Sequence, residues 1–430
     1  MKKICALGGI LILIFLLSAC QLEEILEEEE APVISETIMI MGSLIGVQEE
    51  GINSVIAAFE AENPSIQVDY LGSAEFKSLI ELGVKADDPP DIAVFPQPGG
   101  VANLARDGKL VPLWDEALSL YETEYNPIWK DLARVDGVPY GVFHRVNAKG
   151  WVWYDKVAFE AAGFTPPETW AEFDQLLSQL KETGIAPMCD GIESGVATGW
   201  KGTDWIENIM LRTEPVEVYD AWTQHEIPFS SPEVKNAFLT LESYWFDNSI
   251  FLGGENTIHL TNIQDPPKWL FGENKTCWLH MQGSFVANWF PEEISNDIDN
   301  RVGAFILPPI NESLPTTLEV GGELWVVFKG KDRPAVRQFI EFLATPEGVN
   351  PWIELGGAQF PHINQDFSLY STDIERLLAT TLVDVEAARF DASDNMDEAV
   401  NLAFWEGIEA WTGGSQSLDE VLAEIDMSLP

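Results

Sequence analysis

The amino-acid sequence predicts an α/β fold: a mainly parallel sheet with right-handed crossovers, arranged as two lobes or one large body. Strand-like and helix-like apolar periods alternate from Thr37 onward, the alternation returns near Leu324 after a long excursion, and 430 residues exceed what one small core organises. Ile38 and Ile40 alternate as in a strand. Ile52, Val55, Ile56 and Phe59 recur at helical spacing, Asn63-Pro64 stops that helix, and Ile66, Val68 and Tyr70 alternate again. A helix over 74–86, a break at Asp87-Asp88-Pro89-Pro90 and an apolar strand 91–95 form a second unit. Ligands of such sheets sit beyond the carboxyl ends of the strands, which here carry Gly72-Ser73-Ala74-Glu75 and Pro96-Gln97-Pro98-Gly99.

Residues 138–154 read as extended structure returning through Asn147-Ala148-Lys149-Gly150. Thr169 with Glu172 forms a capping box, Phe173, Leu176, Leu177 and Leu180 supply the apolar stripe behind it, and Gly184 ends the helix. Ser231-Pro232 starts a helix with Val234, Phe238 and Leu241 inward, followed by a strand-like 276–280. The strand 324–328 and a helix from Asp332 carrying Val336, Phe339, Ile340 and Leu343 bring the chain back to the first pattern. Helices fill the rest, one capped by Ser417 with Glu420. No period of 20–50 residues repeats, which argues against solenoids and propellers.

The chain begins as an export signal: Lys2 and Lys3, an apolar run from Ile4 to Leu17, then Leu17-Ser18-Ala19-Cys20. The last four residues resemble the lipobox of bacterial lipoproteins, so residues 1–19 are expected to be removed and Cys20 to become the lipidated anchor. An ordinary secretory signal with a chance cysteine is the alternative. Residues 20–36, rich in glutamate, read as an acidic tether.

The formal charge of −46 repels nucleic acid and anionic lipid at range and favours a neutral or cationic ligand, although a heavily solvated acidic surface alone accounts for most of it. With Cys5 removed in the leader and Cys20 expected to carry lipid, Cys189 and Cys277 remain, either bonded in an oxidising compartment or left as two buried thiols. Five scattered histidines and no Cys/His cluster argue against a metal, and no cofactor is expected.

No nucleophile elbow, phosphate loop, zinc-protease motif or dinucleotide fingerprint occurs. Among 70 acidic residues, paired carboxylates are inevitable, so a lipid-anchored surface glycoside hydrolase is the alternative to a binding protein. Aromatic residues interleaved with short polar ones are more telling: Trp151 and Trp153, residues 199–205, residues 280–285 and residues 389–394, all read as loops. A pyranose needs a flat aromatic platform with carboxylates, amides and guanidinium groups in its plane, and these clusters contain that mixture. Trp200, with glycines at 199 and 202, reads as a loop residue held open for a ligand.

Residues 191–195, 197–200 and 203–212, together with 91–99, 218–228, 278–285 and 389–396, resemble the alpha-glucoside-type substrate-binding proteins of bacterial ABC transporters, within the family 1 extracellular solute-binding proteins. Lys201 stands where that family loop has proline. The resemblance implies a type II periplasmic-binding-protein-like fold with crossing hinge strands and a ligand cleft. Residues 37–148 plus about 318–358 would form lobe 1, and 149–317 plus 359–430 lobe 2. It also implies a Cys189–Cys277 disulfide and a non-enzymatic receptor. That receptor captures a neutral oligosaccharide such as maltose, trehalose or sucrose by hinge closure and hands it to an ABC permease. The implied site has Trp200 and Phe390 as stacking platforms and Glu75, Asp204, Asp391 and Asp394 as hydroxyl acceptors. Gln97, Asn147, His280, Gln282 and Arg389 orient the ligand, and Gly322-Glu323 contacts it near the hinge. The expected protein is a monomer on the extracytoplasmic face of a bacterial membrane or in the periplasm, touching membrane through its anchor only and binding no nucleic acid.

Overall fold

The computed structural model describes residues 35–385 and 387–429. The export signal, Cys20 and nearly all of the acidic tether lie outside the described residues. The expected tether boundary is displaced, because Glu36 already belongs to the first strand, where its backbone pairs with Ile66.

The first lobe opens with β1 (Glu36–Gly42), α1 (Val47–Glu62), β2 (Ile66–Gly72), α2 (Phe76–Lys85), β3 (Ile92–Phe95) and α3 (Pro98–Arg106). β1 lies between β2 and β3 and is parallel to both. The buried face of α1 is Ile52, Val55, Ile56 and Phe59, the spacing read from the sequence. β4 (Gly141–Ala148) completes this stretch, and the chain then crosses to β5 (Trp151–Asp155) in a second sheet.

The second lobe continues through α4 (Trp170–Lys181), β6 (Ala186–Met188), α5 (Trp200–Thr213), α6 (Val216–Thr223), α7 (Pro232–Trp245), β7 (Cys277–Gln282) and β8 (Val302–Ile306). Both halves of the Thr169/Glu172 capping box form at α4. The second sheet has the order β8-β5-β7-β6. Trp151 and Trp153 are strand residues of β5 rather than loop residues, and Val152 and Tyr154 face the opposite side, so this sheet is covered on both faces.

The chain returns in β9 (Leu318–Val327), α8 (Pro334–Leu343), α9 (Asp373–Val383) and β10 (Ala388–Phe390), then ends in α10 (Ala392–Asn395), α11 (Glu398–Thr412) and α12 (Leu418–Met427). β9 is antiparallel to β3 and β4 and parallel to β10, so the first sheet is mixed rather than mainly parallel: the strand that comes back from the second lobe enters from the opposite end. The register of β9 against β4 shifts between Gly322 and Leu324, where His144 and Arg145 of β4 together oppose the single residue Glu323, a bulge in β4.

Two apolar cores result, one around the first sheet and one among α4, α5, α7, α11 and α12. Phe360, Tyr370, Ile374, Leu378, Leu382 and Phe390 are buried in the first core, so the stretch 360–390 packs with lobe 1 and not, as expected, with lobe 2. The reason is local. The His362 ring bonds the Tyr125 hydroxyl at 2.8 Å, and Val146 N–H donates to the Gln359 carbonyl. Ala392, Met396, Val400, Phe404 and Ile408 belong to the second core. Among the described residues no helix is long and apolar enough to cross a membrane.

Candidate functional site

The site grows from α5. Residues Lys201 to Arg212 of this helix are all buried, although Lys201, Asp204, Glu207, Asn208 and Arg212 are polar or charged. Their spacing of three and four puts them on a common stripe, and a buried polar stripe must find partners. It finds them where the chain crosses between lobes. The ammonium of Lys149, just after β4, donates to Asp204 Oδ1 at 2.7 Å, contacts Asp391 and lies 3.9 Å from Glu319 Oε1. Asn208 donates to Glu319 and, at 2.8 Å, to the Asp204 carbonyl. Glu207 accepts the backbone N–H groups of Ala392 and Ser393 at the start of α10. Asp391 caps that helix, taking the Asp394 N–H and the Ser393 hydroxyl at 2.8 Å each.

This network is nearly sealed from water, which sets its charge states. Burial raises the Asp204 carboxyl to about 6 even with Lys149 beside it, and burial together with the Asp204 carboxylate raises Glu319 well above the usual range. Burial opposes the charge on Asp391, but the Lys149 ammonium and the local donors win and hold it below its ordinary value. Lys149 itself, disfavoured by burial, is raised well above its ordinary value by Asp204, Asp391 and Glu319. Oxygens of Asp204, Glu319 and Asp391 lie within 4.8 Å of one another, close enough to hold a metal ion, but the Lys149 ammonium supplies the compensating charge there.

Trp200 opens α5. Its ring lies 5.5 Å from Lys149 Nζ and 6.1 Å from the Phe285 ring, and it is half-buried. It is not the open loop residue the flanking glycines suggest. Gly199 has φ +107°, and a Cβ there would strike the Trp405 carbonyl, so it is a left-handed helix entry pressed against α11, while Gly202 lies inside the helix against Ile408.

Of the expected site residues, the structure gathers Asp204, Asp391 and Asp394 around Lys149 under Trp200. Asn147 joins them from β4, its amide 3.2 Å and the Lys149 Cε 3.5 Å from the point where Gly321 would carry a Cβ. Asp394 is half-buried, and burial plus the Asp391 carboxylate raise its carboxyl. Buried oxygens with no hydrogen bond among the described residues include Asp204 Oδ2, Glu319 Oε1 and Asn147 Oδ1. Glu75 is exposed before α2, and Gln97 precedes α3 with its Oε1 buried and unpartnered. These two helices meet lobe 2: Lys77 pairs with Glu398 at 3.1 Å and Asn103 donates to Asp397 at 3.2 Å. Glu323 accepts from Arg145 at 2.5 Å in the seam of β4 and β9, beside Gly322 opposite Val146.

Four expected contacts fall elsewhere. Phe390 is buried in the first core with its ring 5.6 Å from that of Phe143 and is not gathered under Trp200. Arg389 forms a two-pronged pair with Asp220 in a separate hollow of about 450 Å³. His280 and Gln282 are sealed inside the second sheet, because β7 is covered on both sides. His280 Nδ1 bonds the Cys189 carbonyl at 3.0 Å, and burial lowers its pKa to about 4, so the ring is neutral. Beside it Lys201 and Asp190 form a buried pair at 3.4 Å. Cys189 and Cys277 are joined as a disulfide, with Cα atoms 5.7 Å apart.

Residues 46–257 match the model of the bacterial extracellular solute-binding protein family. The chain is 37% identical over 430 residues, the full length of both proteins, to the osmoprotective compounds-binding protein GgtB of Synechocystis. The chain belongs to this family of bacterial extracellular solute-binding proteins. A second member, the alpha-glucosides-binding periplasmic protein AglE of Rhizobium meliloti, is 35% identical over 89% of this chain and 85% of its own. The bacterial solute receptor AcbH superposes with a TM-score of 0.76 at 18% identity, covering 91% of this chain and 97% of its own, which assigns the two-lobed type II fold. As a family member the chain is an exported solute receptor and not an enzyme.

Proposed function

We propose that this chain is the extracytoplasmic receptor of an ABC importer for a small neutral glucoside, an α-linked disaccharide such as trehalose, sucrose or maltose. The observation that carries this reading is the Trp200 ring set over the Lys149, Asp204 and Asp391 network. An indole face takes the apolar C–H side of a pyranose, while carboxylates and an amide with unmet acceptor capacity take its hydroxyls. The alpha-glucosides named for one relative and the osmoprotective compounds named for another support the same class of solute.

In this reading Trp200 is the platform, Asp204, Asp391 and Asp394 accept hydroxyls, and Asn147 orients the ring. Glu75 and Gln97 approach from the first lobe, and Glu323 with Gly322 lies at the hinge. The solute favours the closed state by its extra contacts there, and the permease reads that state. Cys20 holds the chain to the membrane through lipid, and the receptor works as a monomer. Calorimetric titration of the purified protein with the three disaccharides tests the reading. Saturable heat without release of reducing sugar is expected, and silence with all three sinks it.

A further inference from the structure

The lysine at the centre of the site does more than neutralise acids. Lys149 lies where the chain first passes between lobes, Glu319 where it returns into β9, and Asp391 where it passes over again after β10. These three points are also tied by backbone: Lys149 N–H donates to the Glu319 carbonyl at 2.8 Å and Asp391 N–H to the Val320 carbonyl at 2.9 Å. Asp204, the third acidic partner of Lys149, rides on α5, whose apolar residues pack in the second core. Any rotation of α5 against β9 therefore changes distances to a single ammonium.

We propose that Lys149 is a positioning residue that couples solute capture to hinge closure, by holding α5 and the three interlobe crossings in one arrangement beneath Trp200; this rests on the receptor reading above. The geometry supports it in two ways. An ammonium has three N–H donors, and Asp204 and Asp391 engage it closely while Glu319 stays at 3.9 Å, so the set has slack on one side. The Trp200 ring above it at 5.5 Å is in cation–π range, so whatever stacks on that indole acts on a neighbour of the same cation. A sugar bonding Asp204 would tighten the arrangement that the crossings share.

The test compares the full chain with K149M and K149R, using trehalose, sucrose and maltose as probes. Three quantities are read: the Kd by calorimetry, the radius of gyration with and without sugar by small-angle scattering, and the far-UV spectrum. K149M should weaken binding by roughly tenfold or more. It should also enlarge the sugar-free radius of gyration and lose the compaction on adding sugar, with a native spectrum. K149R, with charge kept and shape changed, should fall between. Sugar affinity and compaction equal to wild type in K149M overturn the proposal, because a merely structural lysine moves stability alone. Where K149M does not fold, K149R decides on the same readouts, and wild-type values there overturn it too. A wild-type chain that binds none of the sugars removes the receptor reading instead. The sugar-free radii still decide the hinge role in that case, equal values for wild type and variants overturning it.

Discussion

The guanidinium of Arg145 and the carboxylate of Glu323 meet at 2.5 Å in the seam between β4 and β9, both almost fully shielded from water. The pair forms across the bulge, where His144 and Arg145 of β4 oppose the single residue Glu323 of β9. Burial raises the Glu323 carboxyl while Arg145 opposes the rise, so the acid depends on its partner. R145M is expected to lower stability by about 3–5 kcal/mol, since a lone buried charge costs more than the pair contributes. Urea unfolding measures it, and R145M/E323L should recover most of the loss.

Trp200→Ala is expected to weaken disaccharide binding by about 1–3 kcal/mol, the effect of removing a central aromatic anchor. The ring is half-buried and touches Phe285 and Lys149 without anchoring a core, so the thermal midpoint should move little. An unchanged dissociation constant in calorimetry would remove the indole from the binding surface.

Acid should weaken the fold through three sealed histidines, His144, His280 and His362, each lowered by burial. Burial lowers His144 and His280 to about 4, against about 6.5 unfolded. A depressed folded pKa stabilises above the unfolded value and loses that contribution as pH falls from about 6.5 toward 4, close to 3 kcal/mol for each ring. Asp204, raised to about 6, works with the opposite sign over the same window. Differences between variants therefore isolate the effect: H144Q and H280Q should each show a shallower fall in unfolding free energy between pH 7 and 4.5 than wild type.

Reduction of the Cys189–Cys277 bond, or its replacement by two alanines, should cost about 4.6 kcal/mol in a loop-entropy account, since the two cysteines are 88 positions apart. Denaturant midpoints with and without reductant provide the comparison. Equal midpoints would show that the strands β6 and β7 hold together without it.

The first lobe was legible because its elements obey simple patterns: α1 buries the residues its spacing names, Ile38 and Ile40 of β1 and Ile66 and Val68 of β2 alternate inward, and β3 is the continuous apolar strand its sequence indicates, buried at every position. The sheet's mixed direction was hidden, since strand polarity depends on where a chain re-enters and not on local pattern. The stretch 199–205 looked like a loop because glycine and polar residues dominate it, yet tertiary burial makes it helix. The signal that could have exposed the site was there: Lys201, Asp204, Asn208 and Arg212 repeat at helical intervals among apolar neighbours, a stripe that only a buried polar network explains. Lys149 and Glu319 carried no such mark, because their partners come from distant segments.

Gly99, at the start of α3, stands so near the Met396 carbonyl that an added methyl would overlap it, and Asn395 lies close behind. One hydrogen atom in place of a side chain thus decides how far the two hemispheres can approach. Alanine at this point would act as a wedge, leaving a receptor that folds and meets its solute yet cannot shut around it.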